Sequence, residues 1–200
     1  MALNQLLKTM LTEVRRRKLS YLFDILDNNK NHYLQPDDFA EVANKICDVL
    51  SLHNHSKDRM HIQLKSLRLY VQLLTDMDKE DISISLDEWL GLFDSDTPIP
   101  PRSAKKYIVK IAAYIFMLFD QDDDHFISKE EYLDMFRIYN IDLNYSQKGF
   151  ELLDKNSDGQ ISREEMVHGF KDFLMSSKSE APGNWIFGNW QSHGLHLSSN

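Results

Sequence analysis

Six carboxylates within residues 120–131, DQDDDHFISKEE, constrain this chain more than any other feature. Like charges at that density repel and cost stability unless a cation sits among them. Core-forming material is plentiful elsewhere: 42% of the 200 residues are hydrophobic, enough for one sizeable core or two small ones and too many for a disordered chain. The formal net charge of −8 argues against nucleic acid as the main partner and favours cations or basic peptides. Cys47 is the single cysteine, which excludes an internal disulfide and a multi-thiolate metal site and suits a reducing compartment. The N-terminal stretch has no apolar h-region or cleavage site, and the chain does not begin Met-Gly. No apolar run approaches the roughly 20 residues of a bilayer span. The expectation is a cytoplasmic protein without stable membrane insertion or a myristoyl anchor.

Apolar residues recur at three- and four-residue intervals almost throughout, as in Leu3, Leu6, Met10, Val14, then Leu64, Leu67, Val71, Leu74, then Ile108, Ile111, Ile115, Leu118. These rows predict amphipathic helices separated by short segments rich in Asp and Asn. The stretch DTPIPPRS, residues 96–103, is different, because its prolines disfavour helix; a boundary between two halves is expected there. Setting FDQDDDHFISKEEY over LDKNSDGQISREEM brings out a repeat with an offset of 34 residues, so the chain contains an internal duplication.

Counted from Asp154, side-chain oxygens fall at positions 1, 3, 5 and 9 (Asp154, Asn156, Asp158, Ser162), with Gly159 at 6, Ile161 at 8 and Glu165 at 12. Such a loop suits Ca²⁺, a hard ion with oxygen ligands only: alternating donors wrap it, the Gln160 backbone carbonyl serves at position 7, and Glu165 closes the shell with both oxygens. Gly159 provides a positive φ without a Cβ penalty. The pattern resembles the EF-hand calcium loop. Residues 120–131 match it with Asp120, Asp122, Asp124, Ser128 and Glu131, with Phe126 at position 7 and His125 in place of the glycine. Histidine is enriched among non-glycine residues at positive φ, so the bend costs stability without being forbidden.

A third copy begins at Asp27, with Asn29, Asn31, Tyr33 at position 7, Gln35 and Asp38. Its lower charge and shorter closing residue predict weaker Ca²⁺ binding and relative tolerance of Mg²⁺. The fourth copy is degraded. Placing Glu88 at 12 puts Met77 at 1 and Lys79 at 3, whereas placing Asp76 at 1 recovers Asp78, Glu80 and Asp87 but puts Ser83 at the buried position. It reads as a structural hand without an ion, kept as a packing partner. Hands pair through a two-residue ladder at position 8, here Ile127 with Ile161 and Leu34 with Ile84. The expected architecture is all-α, with four EF-hands in two paired lobes, residues 1–98 and 102–176, and a tail, 177–200, packing on both.

A dead second hand, a long insertion between the first two hands, no myristoylation site and the ending APGNWIFG make the chain resemble the sarcoplasmic calcium-binding proteins, calexcitins and calerythrin-type proteins included. That resemblance implies lobes packed face to face into a compact body, ions in the loops starting at Asp27, Asp120 and Asp154, and a buffering role. It also implies that the aromatic tail, with Trp185, Ile186, Phe187 and Trp190, plugs the interior.

Arg15, Arg16, Arg17 and Lys18 read as a solvated helix face, and Cys47 as a core thiol. No G-x-S-x-G, H-E-x-x-H or G-x-x-x-x-G-K motif is present, and no enzyme is expected. Three functions follow: a Ca²⁺/Mg²⁺ buffer, monomeric and with three sites; a calexcitin-like sensor opening an apolar surface to a target protein; and, least favoured, a coelenterazine-binding photoprotein. Photoproteins end in proline, whereas this chain ends in Asn200, and their His, Tyr and Trp pocket is not recognisable here.

Overall fold

Short oxygen-bearing side chains stop and start the helices of this chain, and the apolar rows between them decide how the helices stack. The computed structural model describes residues 11–94 and 101–192, apart from the side chains of residues 101–107, 110 and 114. Among the described residues the helices are α1 (Glu13–Leu26), α2 (Pro36–Val49), α3 (Lys57–Asp76), α4 (Leu86–Leu92), α5 (Pro101–Phe119), α6 (Lys129–Ile138), α7 (Ser146–Leu153) and α8 (Arg163–Met175). Two-residue strands β1 (Tyr33–Leu34), β2 (Ile84–Ser85), β3 (Phe126–Ile127) and β4 (Ile161–Ser162) lie in the loops between them. The chain is all-α with EF-hand loops joined in pairs, as the sequence leads one to expect. β1 pairs antiparallel with β2, setting Leu34 opposite Ile84, and β3 with β4, setting Ile127 opposite Ile161. All four of these residues are buried.

The helices that follow the last three loops start in the same way. Ser85, Ser128 and Ser162 accept from the backbone N–H three residues on, while Glu88, Glu131 and Glu165 reach back to the serine N–H. This capping box satisfies two otherwise orphaned donors per helix. Prolines enter where they do least harm: Pro36 and Pro101 open α2 and α5, positions with no intrahelical N–H bond to lose. Residues 101–103, expected as linker, are therefore helical. The remaining linker residues on which the lobe boundary was placed, together with Leu3, Leu6 and Met10, lie outside the described residues.

In α5 the expected row is buried: Ile108, Ile111, Ile115 and Leu118. In α3 it is not. Leu64 and Val71 stand 49% and 60% exposed, and the helix buries Ser66, Tyr70 and Leu73 instead. The reason is polar as well as apolar. The Tyr70 hydroxyl lies within hydrogen-bond reach of the carbonyls of Leu34 (3.0 Å) and Ile82, to which its single proton can be donated, and its ring packs 4.9 Å from Phe39. The Ser66 hydroxyl meets the Phe39 carbonyl at 2.6 Å. A row of leucines offers none of these bonds.

The basic run of α1 also departs from expectation. Arg15 and Lys18 are buried, not solvated. Lys18 Nζ donates to the carbonyls of Asp172 (3.0 Å) and Ser176 (2.8 Å) and to Asn184 Oδ1 (2.6 Å). Arg15 donates to the carbonyls of Phe93 (2.8 Å) and Leu174 (3.3 Å). Carbonyls at a helix C-terminus lack intrahelical partners and carry partial negative charge, so these two cations cap α8 from another part of the chain. Burial pulls the Lys18 ammonium down to about 8, against the attraction of Asp172. Its three acceptors match the three N–H groups of a charged ammonium, so it is cationic at neutral pH.

The tail completes the packing. Ile186, Phe187 and Trp190 are buried, with the Phe187 ring set edge-on to Phe170 (5.6 Å) and Phe173 (5.3 Å). Tyr21 and Tyr132 donate to the carbonyls of Phe187 (2.7 Å) and Ile186 (2.9 Å). Gly183 lies so close to α8 that a Cβ there would meet the Gly169 carbonyl at 2.4 Å, which fixes glycine in the APG sequence.

Candidate metal centres

Three of the four loops share one backbone course. Positions 4 and 6 are left-handed in each: Lys30 (φ 58°) and His32 (φ 67°), Asp123 (φ 57°) and His125 (φ 71°), Ser157 (φ 58°) and Gly159 (φ 86°). Both histidines thus take up the conformation for which glycine is usual. The matching bend at position 4 was not read from the sequence; Asp, Ser and Lys there carry little signal, since each is unremarkable in a loop.

The course turns N–H groups onto the first ligand. Asp27 accepts from Asn31 N (3.2 Å) and His32 N (2.8 Å), and Asp154 accepts from Asp158 N (3.1 Å) and Gly159 N (2.9 Å). At position 7, the N–H groups of Tyr33, Phe126 and Gln160 donate to the side-chain oxygens of Asn31 (2.9 Å), Asp124 (2.8 Å) and Asp158 (3.0 Å). The closing carboxylate ties position 2 to position 9 with both oxygens. Glu131 takes Gln121 N and Ser128 N, each at 2.8 Å; Glu165 takes Lys155 N (2.9 Å) and Ser162 N (2.8 Å); Asp38 takes Asn28 N (3.0 Å) and Gln35 N (2.9 Å). Asp38 is one methylene shorter and still makes the same bonds, so the first loop closes more tightly.

Electrostatics separate the loops. Burial raises the Glu165 carboxyl, but donors from Ser162, Lys155 and Asn156 outweigh it and hold the group below the ordinary range. For Asp38 burial wins over the N–H groups of Gln35, Asn29 and Asn28, and the neighbouring Asp27 adds to the rise. Asp120 is likewise raised: by burial first, against the His125 N–H, and further by Asp123, Glu131 and Asp124. In the last loop an asparagine amide relieves the crowding, Asn156 donating to Asp158 Oδ2 at 2.8 Å, and in the first loop Asn29 and Asn31 are themselves neutral. The loop beginning at Asp120 has carboxylates at positions 1, 3 and 5 and no such donor. Oxygens of Asp120, Asp122 and Asp124 lie within 4.8 Å of one another, and Asp120 Oδ1 is buried without a hydrogen-bond partner.

An orphaned, buried, anionic oxygen beside two more carboxylates is costly in itself and fits a hard divalent cation. The donor set, oxygen throughout, fits Ca²⁺ or Mg²⁺ and not a soft metal. His125 is 88% exposed on its side chain, with Nδ1 3.8 Å from Asp120 Oδ2, and lies at the rim.

In the second loop the ladder decides the register. Ile84 sits at position 8 opposite Leu34, and Glu88 is the third residue of α4, so Met77 and Lys79 occupy positions 1 and 3. The alternative placement of Asp76 at position 1 is discarded. Neither position 4 nor position 6 is left-handed here; Ile82, β-branched, is a poor occupant of that conformation.

Helix–loop–helix units in β-laddered pairs, with oxygen donors at alternating loop positions, define the EF-hand class of calcium-binding protein. Residues 110–171 match the family model of an EF-hand domain pair. No curated protein sequence matches the chain significantly. Among solved structures, the calcium-loaded apo coelenterazine-binding protein of Renilla muelleri is similar with a TM-score of 0.73 at 22% identity, over 90% of this chain and 99% of that one. A sarcoplasmic calcium-binding protein from amphioxus is similar with a TM-score of 0.66 at 18% identity, over 90% and 98%. The Mg²⁺-loaded ctenophore photoprotein apo-berovin follows with a TM-score of 0.58 at 16% identity, over 79% and 87%. The chain therefore has the fold of the sarcoplasmic calcium-binding proteins, a fold also seen in the coelenterazine-binding protein and the photoprotein.

Proposed function

We propose that the chain is a cytoplasmic Ca²⁺/Mg²⁺ buffer with three ion sites and no catalytic role. Asp27, Asn29, Asn31, Tyr33 and Asp38 would hold one ion, Asp120, Asp122, Asp124, Phe126 and Glu131 a second, and Asp154, Asn156, Asp158, Gln160 and Glu165 a third. The side chains supply oxygen ligands and negative charge, and Tyr33, Phe126 and Gln160 supply backbone carbonyls. A bound ion would neutralise carboxylates that otherwise repel. The observation that carries this reading is the unpartnered Asp120 Oδ1 within its carboxylate cluster. Mg²⁺ competition is assigned to the first loop, where the closing residue is short and two ligands are neutral; all three calcium loops of berovin bind magnesium.

Buffering rather than sensing is supported by the closed interior. Lys18, Arg15 and the tail join α1 to α8 through hydrogen bonds at buried side chains. The sensor reading has one observation in its favour, the exposed apolar row Met60, Leu64 and Val71 on α3. A hydrophobic-surface dye separates the two. A buffer gives a weak signal, set by the α3 row, that does not grow with Ca²⁺; a several-fold increase on Ca²⁺ addition would identify a sensor.

A further inference from the structure

We infer that the second loop is a cation site occupied permanently by the chain's own ammonium group, Lys79 Nζ. The side chain is 10% exposed and lies between the carboxylates of positions 5 and 12, 3.2 Å from Asp81 Oδ1 and in hydrogen-bond contact with Glu88 Oε1. It reaches them from position 3, normally the place of an oxygen ligand.

The sequence brings this about at the end of α3. The other loops place Asp at position 1; Asp27 and Asp154 close their helices with ψ near 82–83°, which starts the turn around an ion. Met77 has no oxygen to offer and stays in the right-handed region, φ −90° and ψ −4°. Asp78 then turns left-handed at φ 52°, with Asp78 N bonded to the Thr75 carbonyl (3.2 Å) and Lys79 N to the Leu74 carbonyl (3.0 Å). These are the two bonds of a Schellman ending. Its consequence is specific: the position 2 N–H, which in the other loops holds one oxygen of the closing carboxylate, is spent on the helix.

Glu88 Oε2 still binds Ser85 N (2.8 Å) and Ser85 Oγ (2.9 Å), whereas Oε1 is free of its usual partner and goes to Lys79. The loop is closed by a lysine in place of a divalent ion. Charge follows the geometry: the hydrogen bond from Lys79 holds Glu88 below the ordinary carboxylate range, and the Ser83 N–H together with Lys79 does the same for Asp81. For Lys79, desolvation pulls downwards and the bonds to Glu88 and Asp81 together overcome it, raising the ammonium.

A tethered cation has no concentration dependence. The second hand is therefore assembled at every Ca²⁺ level, and through Leu34–Ile84 and the bond from Gln35 Nε2 to Ser83 Oγ (3.0 Å) it presents the first loop with a fixed partner.

The test uses the full chain in chelator, so it is independent of whether the other loops take ions. Lys79→Met is expected to lower Tm by about 2–4 °C and Lys79→Arg to restore most of that loss. In the wild-type chain, nitrogen-detected NMR should find the Lys79 ammonium protons slowed in exchange relative to exposed lysines, with a signal that Ca²⁺ does not displace. An ammonium exchanging like the exposed lysines, an unchanged Tm in Lys79→Met, or a Lys79 signal released by Ca²⁺ would each overturn the inference.

Discussion

Glu165→Gln is expected to remove one calcium-binding event and leave two. At position 12 the glutamate would close the shell with both anionic oxygens, and both already hold the loop shut through Lys155 N and Ser162 N. Glutamine keeps one carbonyl oxygen and replaces the other with a donor, which faces N–H groups and a cation and can satisfy neither. The loss of a full charge and half of a bidentate contact should weaken this loop about 100-fold, roughly 2.7 kcal/mol. The β3–β4 ladder makes Ile127 and Ile161 neighbours, so the loop at Asp120 should weaken too, though less. Glu164→Gln, at the exposed adjacent position, is the control and should leave all events in place. Equilibrium dialysis or calorimetry counts the events.

Calcium should also stabilise the fold strongly. Ligand that binds only the folded chain at 1,000 times its Kd adds about 4.1 kcal/mol for one site. In a chain of this length each kcal/mol moves Tm by about 2–4 °C, so saturation of a single tight site raises it by about 8–16 °C. Chelator reverses the shift. Most of the gain should come from the loops at Asp120 and Asp154, the more highly charged pair. Charge relief is concentrated at Asp120, whose carboxyl is raised by burial and by three neighbouring acids. Mg²⁺ in place of Ca²⁺ should give a smaller rise, through the first loop chiefly.

Much of this was legible in the residues themselves. Loop positions 1 to 12 fix a spacing, and the spacing fixed in advance which side chains would meet: Ile127 with Ile161, Leu34 with Ile84. Local rules of that kind depend on few atoms. What depended on distant parts of the chain was not legible. A run of Arg15 to Lys18 looks like a surface, and only the docking of α8 and the tail shows Lys18 facing three acceptors 154 to 166 positions away. The leucine row of α3 has the right period for a buried face, yet Tyr70 and Ser66 take that face because they alone can bond the backbone across it. From the sequence Lys79 is only a failed ligand; its role depends on the Schellman turn at Met77 and Asp78. The left-handed residues at position 4 left no mark in composition, since the bend is imposed by closure of the loop and not by glycine.

The central claim is that these acidic loops exist to hold divalent cations, and calcium titration of chelator-stripped protein by isothermal calorimetry addresses it most directly. The account predicts three binding events, one of them weaker and suppressed by Mg²⁺. A flat titration with no bound metal would contradict it.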